Sequence, residues 1–390
     1  MVETAARKRP GTTGDFSVLE IAGPATDVCG RLLSDAGGEV VKLEAPASAA
    51  EPVDGARRRY FDTDKKSLAV DLGTPGGRAL LAELVPVFDV VVEALPPGEL
   101  ERMGCGYHAM AERSPALTLV SITPFGQDGP YAGWKADDLV AFAMGGLMFI
   151  SGARDAPPVV APCEQAYLVA GVHAAIGALA ARWAASGGRG EWVDVSMMEC
   201  LAAQENTISN HRGPGEFSRR TGSQHRTANP GRIFPCKDGH FHIFVNQERG
   251  TWERFVKWVG NPPELESPDL AEINHRWRNA EVVTAVMERF ALQRTREELV
   301  TTGQALHLPV VPVSSVREAL NDPQAQWLGL AERVGGEQEG YRTLRRPLHP
   351  QYQGPRSPAP AVGRDTDDVL EWFLGLGAAE RAGLRGAGVV

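Results

Sequence analysis

Apolar and polar positions in the first part of the chain alternate between short hydrophobic runs and segments with helical spacing. Residues 16–21 form an apolar run that predicts a strand, and residues 25–37 have the spacing of a helix that ends at Gly37-Gly38. Residues 39–44 alternate as a second strand. A second helix is predicted from Thr74-Pro75 to about Val85, since Thr is a favoured helix cap and proline fits the first helical position. Further apolar runs predict strands over 67–72, 89–93 and 116–122.

Strands that alternate with helices predict a mostly parallel sheet covered on both faces. We therefore expect an α/β protein with a Rossmann-like large domain, although the sequence has no G-x-G-x-x-G motif. The longest apolar run, residues 166–181, is rich in Ala and Gly and is interrupted by His173. It predicts a buried helix rather than a membrane span.

The second half of the chain predicts a smaller α+β domain. Residues 211–232 are polar and rich in Gly and Pro, which is typical of a linker. Lys237-Asp-Gly239 lies between two short apolar runs, which predicts a hairpin. The predicted domains are a large domain over 1–210, the linker over 211–232, a small domain over 233–330, and a return to the large domain over 331–390.

Length and composition narrow the class of protein. A chain of 390 residues is too long for one hydrophobic core, and a net charge of −9 argues against nucleic-acid and membrane partners. The start of the chain has no apolar signal segment, and the five cysteines include no C-x-x-C pair. We expect reduced thiols, a cytoplasmic location and no metal site. His240-Phe-His242 has no third ligand nearby, so we interpret both as surface or core histidines.

Five segments carry a resemblance to a known family. In chain order they are Leu32–Pro46, Lys65–Leu72, Pro97–Gly104, Phe125–Pro130 and Glu164–Arg182. Together they resemble the class III CoA-transferases, the family of formyl-CoA transferase, carnitine CoA-transferase and α-methylacyl-CoA racemase. Pro323-Gln324, Pro347 and Gly388-Val-Val390 complete the pattern, so the resemblance extends over nearly the whole chain.

The resemblance implies an architecture and a chemistry. It implies a large Rossmann-like domain built from the N-terminal half and the C-terminus, a smaller domain between them, and two chains interlocked as a dimer. A carboxylate of the enzyme attacks an acyl-CoA thioester, and the CoA group is then transferred by way of the enzyme to a carboxylic acid. Coenzyme A thioester is then a substrate, and no cofactor is bound permanently.

The family's nucleophile is missing from its expected place. The resemblance implies an Asp four residues before Gly171, where this chain has Tyr167. A Tyr is neutral at pH 7, so it either donates a hydrogen bond or fills the pocket. Glu164 is a possible substitute if the helix extends back to it, because residues three apart share a helix face. The alternative is that Glu164 is a helix-start carboxylate favoured by the helix dipole.

Several basic residues match family positions that contact the CoA nucleotide or its phosphates: Lys65, Arg102 and Lys135. The alternative is that they are ordinary solvated charges, and we interpret the neighbouring run 57–59, three arginines, in that way. The family's catalytic His of the racemase branch is replaced by Asp137, which argues against a racemase. Asp138 is expected to cap the next helix.

Three functions remain open at this point. The first is a CoA-transferase subunit that has lost the aspartate and pairs with a homologue that carries it, as the resemblance to benzylsuccinate CoA-transferases implies. The second is an active homodimeric transferase that uses Glu164. The third is a non-enzymatic acyl-CoA-binding or scaffold protein. The expected ligands are an acyl-CoA and a carboxylic acid, and the expected partner is a homologous subunit or a second copy.

Overall fold

The computed structural model describes residues 16–21, 23–46, 55–204, 219–225, 228–248, 250–336, 340–346 and 356–390. The start of the chain and parts of the predicted linker, 211–218 and 226–227, lie outside these residues. The chain forms two compact units. The larger has residues 1–148, 160–218 and 329–390, and the smaller has residues 149–159 and 219–328. The predicted small domain covered 233–330.

A six-stranded parallel sheet forms the centre of the large unit, which confirms the predicted fold class. Its spatial order is β3-β2-β1-β4-β5-β6. This is the order of doubly wound folds, in which ligands bind outside the carboxyl ends of the strands where the order reverses, here between β1 and β4. The strands are β1 (Phe16–Ile21), β2 (Gly38–Glu44), β3 (Lys66–Ala69), β4 (Val90–Glu93), β5 (Thr118–Thr123) and β6 (Trp192–Ser196).

Helices connect the strands and cover both faces of the sheet. In the N-terminal half they are α1 (Pro24–Asp35), α2 (Gly55–Phe61), α3 (Pro75–Leu84), α4 (Glu99–Arg102), α5 (Tyr107–Arg113), α6 (Asp138–Met144), α8 (Gln165–Ala184) and α9 (Met197–Ala202). A short helix, α7 (Leu147–Ile150), spans the boundary at residue 148. The C-terminal part adds the hairpin β10 (Ala331–Val334) and β11 (Tyr341–Leu344), and the helices numbered here α16 (Thr366–Leu374) and α17 (Ala378–Gly386).

Alternate residues of the strands are buried in two separate hydrophobic cores, one on each face of the sheet. Val18, Val92 and Val120 are fully buried on the face that α1 and α8 cover. Leu19 and Val91 are buried on the opposite face, with α3 and α16. Strands that are apolar on both sides require this double cover, because successive side chains point to opposite faces.

Local signals set the ends of the helices where the sequence predicted them. The Thr74 hydroxyl accepts a hydrogen bond from the Gly77 backbone N–H at 2.9 Å, with Pro75 next in the chain. Gly37 follows α1 with a φ of 96°, a left-handed conformation that favours glycine. Both predicted helix boundaries are confirmed.

Helix α8 extends over twenty residues and packs against α1, α6, α9 and strands β5 and β6. By length and composition alone, it is the one helix in the described part of the chain that could cross a membrane, and 39% of its apolar window is buried inside the protein. Its inner side consists of small residues, and Gly171 lies directly against Val28 of α1. The predicted helix is thus present, but it is buried on its inner side only, and Ile176 and Trp183 are exposed.

The small unit is built on a three-stranded antiparallel sheet, β7 (Gly231–Cys236), β8 (Gly239–Phe244) and β9 (Val310–Pro312). The predicted turn at Lys237-Asp238 joins β7 to β8. Strand β7 begins within the predicted linker 211–232. The helices are α10 (Thr251–Trp258), α11 (Ile273–Arg278), α12 (Ala280–Ala291), α13 (Arg296–Ala305), α14 (Val316–Asn321) and α15 (Pro323–Trp327).

Candidate active site

Tyr167 is the third residue of α8, at the position where the resemblance implies an aspartate. Its ring is half-buried and packs against the core between α1 and α8. Burial raises the pKa of the Tyr167 phenol above its ordinary value, and the nearby carboxylates of Asp137, Asp138 and Glu164 raise it further. The phenol is therefore neutral at physiological pH and cannot act as a carboxylate nucleophile.

Asp138 connects the start of α6 to the start of α8. Its Oδ1 atom accepts a hydrogen bond from the Tyr167 backbone N–H at 3.0 Å. The expectation that Asp138 caps α6 is wrong, because Asp137 does so by accepting from the Val140 backbone N–H at 3.0 Å. Asp137 has the extended backbone that a capping residue needs, whereas Asp138 is already the first helical residue.

Glu164 precedes α8 and is not part of it. Its backbone is left-handed, with φ 50° and ψ 56°, and its side chain makes no capping hydrogen bond. The condition under which Glu164 and Tyr167 would share a helix face is therefore not met. The Glu164 carboxylate is about half exposed and is paired with the Arg57 guanidinium. A carboxylate neutralised in this way is a poorer nucleophile than a free one.

Two of the three arginines at 57–59 are not solvated surface charges. The Arg57 Nε atom donates to Asp27 at 3.0 Å, and Arg58 forms a two-pronged pair with Glu44 at 2.7 and 2.9 Å. Only 17% and 15% of these two side chains are exposed. The surface interpretation is wrong for both because α2 turns them towards α1 and β2, whereas the third, Arg59, is exposed.

Lys65 is fully buried, and its ammonium group is held inside the large unit. Its Nζ atom lies 2.6 Å from the Glu20 carboxylate and donates to the Asp27 carbonyl oxygen at 3.3 Å. Lys42 lies in the same network, 2.8 Å from Asp27 and 2.9 Å from Asp62. Burial raises the pKa of Glu20 to about 7, against the lowering effect of Lys65. This placement does not support the prediction that Lys65 contacts a phosphate, because no part of its side chain reaches solvent.

Arg102 and Lys135 are accessible, as a phosphate ligand must be. Arg102 ends α4, is largely exposed, and is paired with Glu99 in the same helix. Lys135 is exposed in the segment between β5 and α6. Since α4 follows β4 and this segment follows β5, both residues lie beyond the carboxyl ends of neighbouring parallel strands. Doubly wound folds bind ligands at that edge of the sheet.

Sequence reasoning missed a buried acid at the same edge. Glu93 is the last residue of β4 and is 3% exposed. One carboxylate oxygen accepts from the Leu95 backbone N–H at 2.6 Å. Burial raises the pKa of Glu93 to about 7, although the Ser121 hydroxyl and the Leu95 amide both favour its charged form. The available signal was a single acidic residue at the end of the apolar run Val90–Val92.

The described residues contain no group of three or more His, Cys, Asp or Glu side chains that could hold a metal ion. His240 and His242 both lie on β8, with His240 exposed and His242 partly buried. Burial lowers the pKa of His242, and His225 nearby lowers it further. The five cysteines are all free thiols, and four of them are buried.

Comparison with known proteins gives a consistent result. The model of CoA-transferase family III matches residues 15–366. Succinyl-CoA–D-citramalate CoA-transferase of Chloroflexus aurantiacus is 28% identical over 99% of this chain and 100% of that protein. Subunit BbsE of succinyl-CoA:(R)-benzylsuccinate CoA-transferase from Thauera aromatica is 30% identical over 79% of this chain and 80% of its own. The crystal structure of a CAIB/BAIF family protein from Brucella suis superposes with a TM-score of 0.79 at 25% identity, covering 92% of this chain and 98% of that one.

Proposed function

Since the chain belongs to CoA-transferase family III, we propose that it is the subunit of a two-subunit CoA-transferase that lacks the nucleophilic aspartate. It would pair with a homologous subunit that carries the aspartate, and the pair would move CoA from an acyl-CoA to a carboxylic acid. We place the assembly in the cytoplasm, in keeping with the free thiols.

One observation carries this proposal: the helix start that should present a carboxylate presents a neutral, half-buried phenol. In the family's reaction the carboxylate attacks the thioester carbonyl and the CoA thiolate leaves, which gives a mixed anhydride. The thiolate then attacks the enzyme's own carbonyl and releases the first acid, so that CoA remains on the enzyme as a thioester. Tyr167 cannot form that thioester, because a phenol offers no acyl carbon to the thiolate.

The nearby carboxylates do not replace the lost one. Glu164 is paired with Arg57, and Asp138 is engaged by the backbone N–H of Tyr167. Both carboxylates are therefore engaged by hydrogen-bond or ion-pair partners. The similarity to BbsE, itself named as a subunit of a CoA-transferase, favours the two-subunit arrangement over a homodimer that uses Glu164.

The remainder of the chain favours a retained role in binding. The helix packing around α8 is intact, and Arg102 and Lys135 remain accessible beyond the carboxyl ends of β4 and β5. A subunit with these features can line the pocket and bind the CoA nucleotide without performing the chemistry.

The test restores the missing group. Purified Tyr167→Asp is incubated with succinyl-CoA, and intact-protein mass spectrometry looks for a covalent CoA adduct that hydroxylamine removes. We expect the adduct in Tyr167→Asp, and none in the unmodified chain or in Tyr167→Asn, which has the same shape without the carboxylate. Transferase activity is expected only when the chain is co-purified with its homologue.

An unmodified chain that turns over acyl-CoA by itself would contradict the proposal. In that case Glu164→Gln identifies the nucleophile, since loss of the adduct in that variant points to Glu164 and retention excludes it.

A further inference from the structure

Glu93 lies at the point of the sheet where the strand order reverses. Strand β4 pairs with β1 on one side and with β5 on the other, and Glu93 lies beside Ser121 in the β4–β5 register. The chain then turns at Leu95 and enters α4, which ends at Arg102. Glu93 is therefore the last anchored side chain before the segment from Leu95 to Arg102.

One contact joins this side chain to that segment, and a second joins it to the sheet. The Leu95 backbone N–H donates to Glu93 Oε2 at 2.6 Å. On the sheet side, the Trp192 indole N–H donates to the Ser121 hydroxyl oxygen at 3.0 Å, which leaves the Ser121 proton for Glu93. A cavity of about 10 Å³, enough for one water molecule, separates these groups from α4.

In the part of the chain that the structure describes, the charged side chains that line this cavity or act on Glu93 are acidic. Glu99 and Glu101 of α4 and Asp194 of β6 lie around it, and Glu101 and Asp194 act on its titration. Within the described chain no lysine or arginine forms an ion pair with Glu93. Burial without a counter-ion favours the protonated form of Glu93 and outweighs the hydrogen bonds from Ser121 and Leu95, which favour the charged form. Ionisation would also repel Glu101 of α4.

We propose that Glu93, in its protonated form, is a positioning residue that fixes the segment from Leu95 to Arg102 in the conformation that receives the nucleotide of coenzyme A. The inference rests on the proposed function, which places CoA at this edge of the sheet. When Glu93 loses its proton, its carboxylate repels the acidic side chains of the segment. The segment then moves away from Glu93, and Arg102 leaves the position in which it binds the nucleotide.

The test compares three variants across pH with free coenzyme A as the probe. Calorimetric affinity is measured at pH 6 and pH 8 for the unmodified chain, Glu93→Gln and Glu93→Ala, with Glu112→Gln on α5 as an exposed control. With a pKa of about 7, the protonated fraction of Glu93 falls about tenfold between these pH values, and affinity follows the competent fraction.

We expect the affinity of the unmodified chain and of Glu112→Gln to fall about tenfold more than that of Glu93→Gln, which keeps the neutral shape at every pH. Changes in CoA's own ionisation affect all variants equally and cancel in the comparison. Glu93→Ala is expected to bind weakly at both pH values. Equal pH profiles for the unmodified chain and Glu93→Gln would overturn the proposal.

A second readout separates this inference from the proposed function. Amide hydrogen exchange in residues 94–102, corrected for its intrinsic pH dependence, needs no ligand. If no variant binds CoA, the proposed binding role fails, and exchange alone decides whether Glu93 positions the segment. Faster exchange at pH 8 than at pH 6 in the unmodified chain but not in Glu93→Gln supports the positioning role. Identical exchange in the unmodified chain and in Glu93→Gln refutes the positioning role.

Discussion

Glu20 and Lys65 form an ion pair that water does not reach. Both side chains are fully buried, and the two charged atoms lie 2.6 Å apart between β1 and the start of β3. Such a pair adds little net stability compared with an apolar pair, but loss of one partner leaves an uncompensated charge in the interior. In this chain, a lysine that matches a ligand-binding position of the family has a structural role.

Replacement of Lys65 by Met is expected to lower the free energy of unfolding by about 3 kcal/mol, because Glu20 is left without its counter-ion. The loss should be smaller at pH 6 than at pH 8. In the variant the folded-state pKa of Glu20 lies above its unfolded value, so the folded state binds the extra proton and stability falls as pH rises through that pKa. Urea unfolding at the two pH values measures both effects.

An exposed ion pair provides the control. Arg289 pairs with Glu264 at 2.8 Å, and 57% and 42% of the two side chains are exposed, so Arg289→Met should cost about 1 kcal/mol or less. The double variant Glu20→Gln with Lys65→Met should recover at least half of the loss. Equal costs for Lys65→Met and Arg289→Met would show that the buried pair contributes no more than a surface pair.

At the scale of elements, α8 determines how the candidate active site is held. Gly171 lets α8 approach α1 closely, since a Cβ atom at this position would lie 2.4 Å from the Val28 Cβ. Six residues further on, Gly177 lies against Val193 of β6 in the same way. The helix start that carries Tyr167 is therefore fixed by close packing of α8 at Gly171 and Gly177.

Replacement of Gly171 by Ala is expected to destabilise the protein by up to about 2 kcal/mol. The higher helix propensity of Ala favours the variant by about 1 kcal/mol, but overpacking in a dense interior costs about 1–3 kcal/mol and also strains the helix pair. Thermal unfolding followed by circular dichroism measures the net effect.

Gly383 in α17 is the matched control, because a Cβ atom there would meet nothing within 4 Å. Gly383→Ala should be neutral or stabilising by up to about 1 kcal/mol. The double variant Val28→Ala with Gly171→Ala should recover part of the loss. A stabilising Gly171→Ala would mean that the α1–α8 contact yields more readily than its geometry indicates.

At the scale of the whole molecule, the C-terminal part of the chain completes the large unit. Phe373 of α16 stacks on Phe88 with ring centroids 4.5 Å apart. Arg356 is fully buried and joins three distant segments by ion pairs: Asp35 at 3.0 Å, Asp64 at 2.6 Å and Glu332 at 2.5 Å. The large unit therefore depends on residues more than 290 positions apart in sequence.

Replacement of Arg356 by Met is expected to destabilise the large unit by about 3 kcal/mol, because Asp35 and Asp64 lose a buried counter-ion that they share. Each keeps one other arginine partner, Arg31 for Asp35 and Arg346 for Asp64, so the cost lies at the low end for buried pairs. Hydrogen exchange in peptides from β1 to β3 reports on this unit directly. Arg364 is half exposed and pairs only with its neighbour Asp365, so Arg364→Met should change stability by no more than about 0.5 kcal/mol. Similar hydrogen-exchange protection of β1 to β3 in Arg356→Met and Arg364→Met would contradict the role assigned to Arg356.

The sequence by itself determined five strands of the parallel sheet and the helices α1, α3 and α8, because these depend on local periodicity and on turn and cap residues. The motifs that carry the resemblance also indicated the family. The Thr74-Pro75 helix start, the Gly37 stop and the apolar helix after Glu164 were all readable from neighbours within a few positions. That Tyr167 stands in the place of the family's aspartate is what the resemblance to the family implies.

Only the tertiary structure decided which charges are buried and what they contact. Lys65, Arg57 and Arg58 look like surface residues in the sequence, and their partners Glu20, Asp27 and Glu44 are 14–45 positions away. Asp137, and not Asp138, caps α6 because the helix begins one residue earlier than expected. The pairing of Glu164 with Arg57 joins chain segments that are 107 positions apart. Burial and charge pairing arise where distant segments of the chain meet, so the periodicity of the sequence does not predict them.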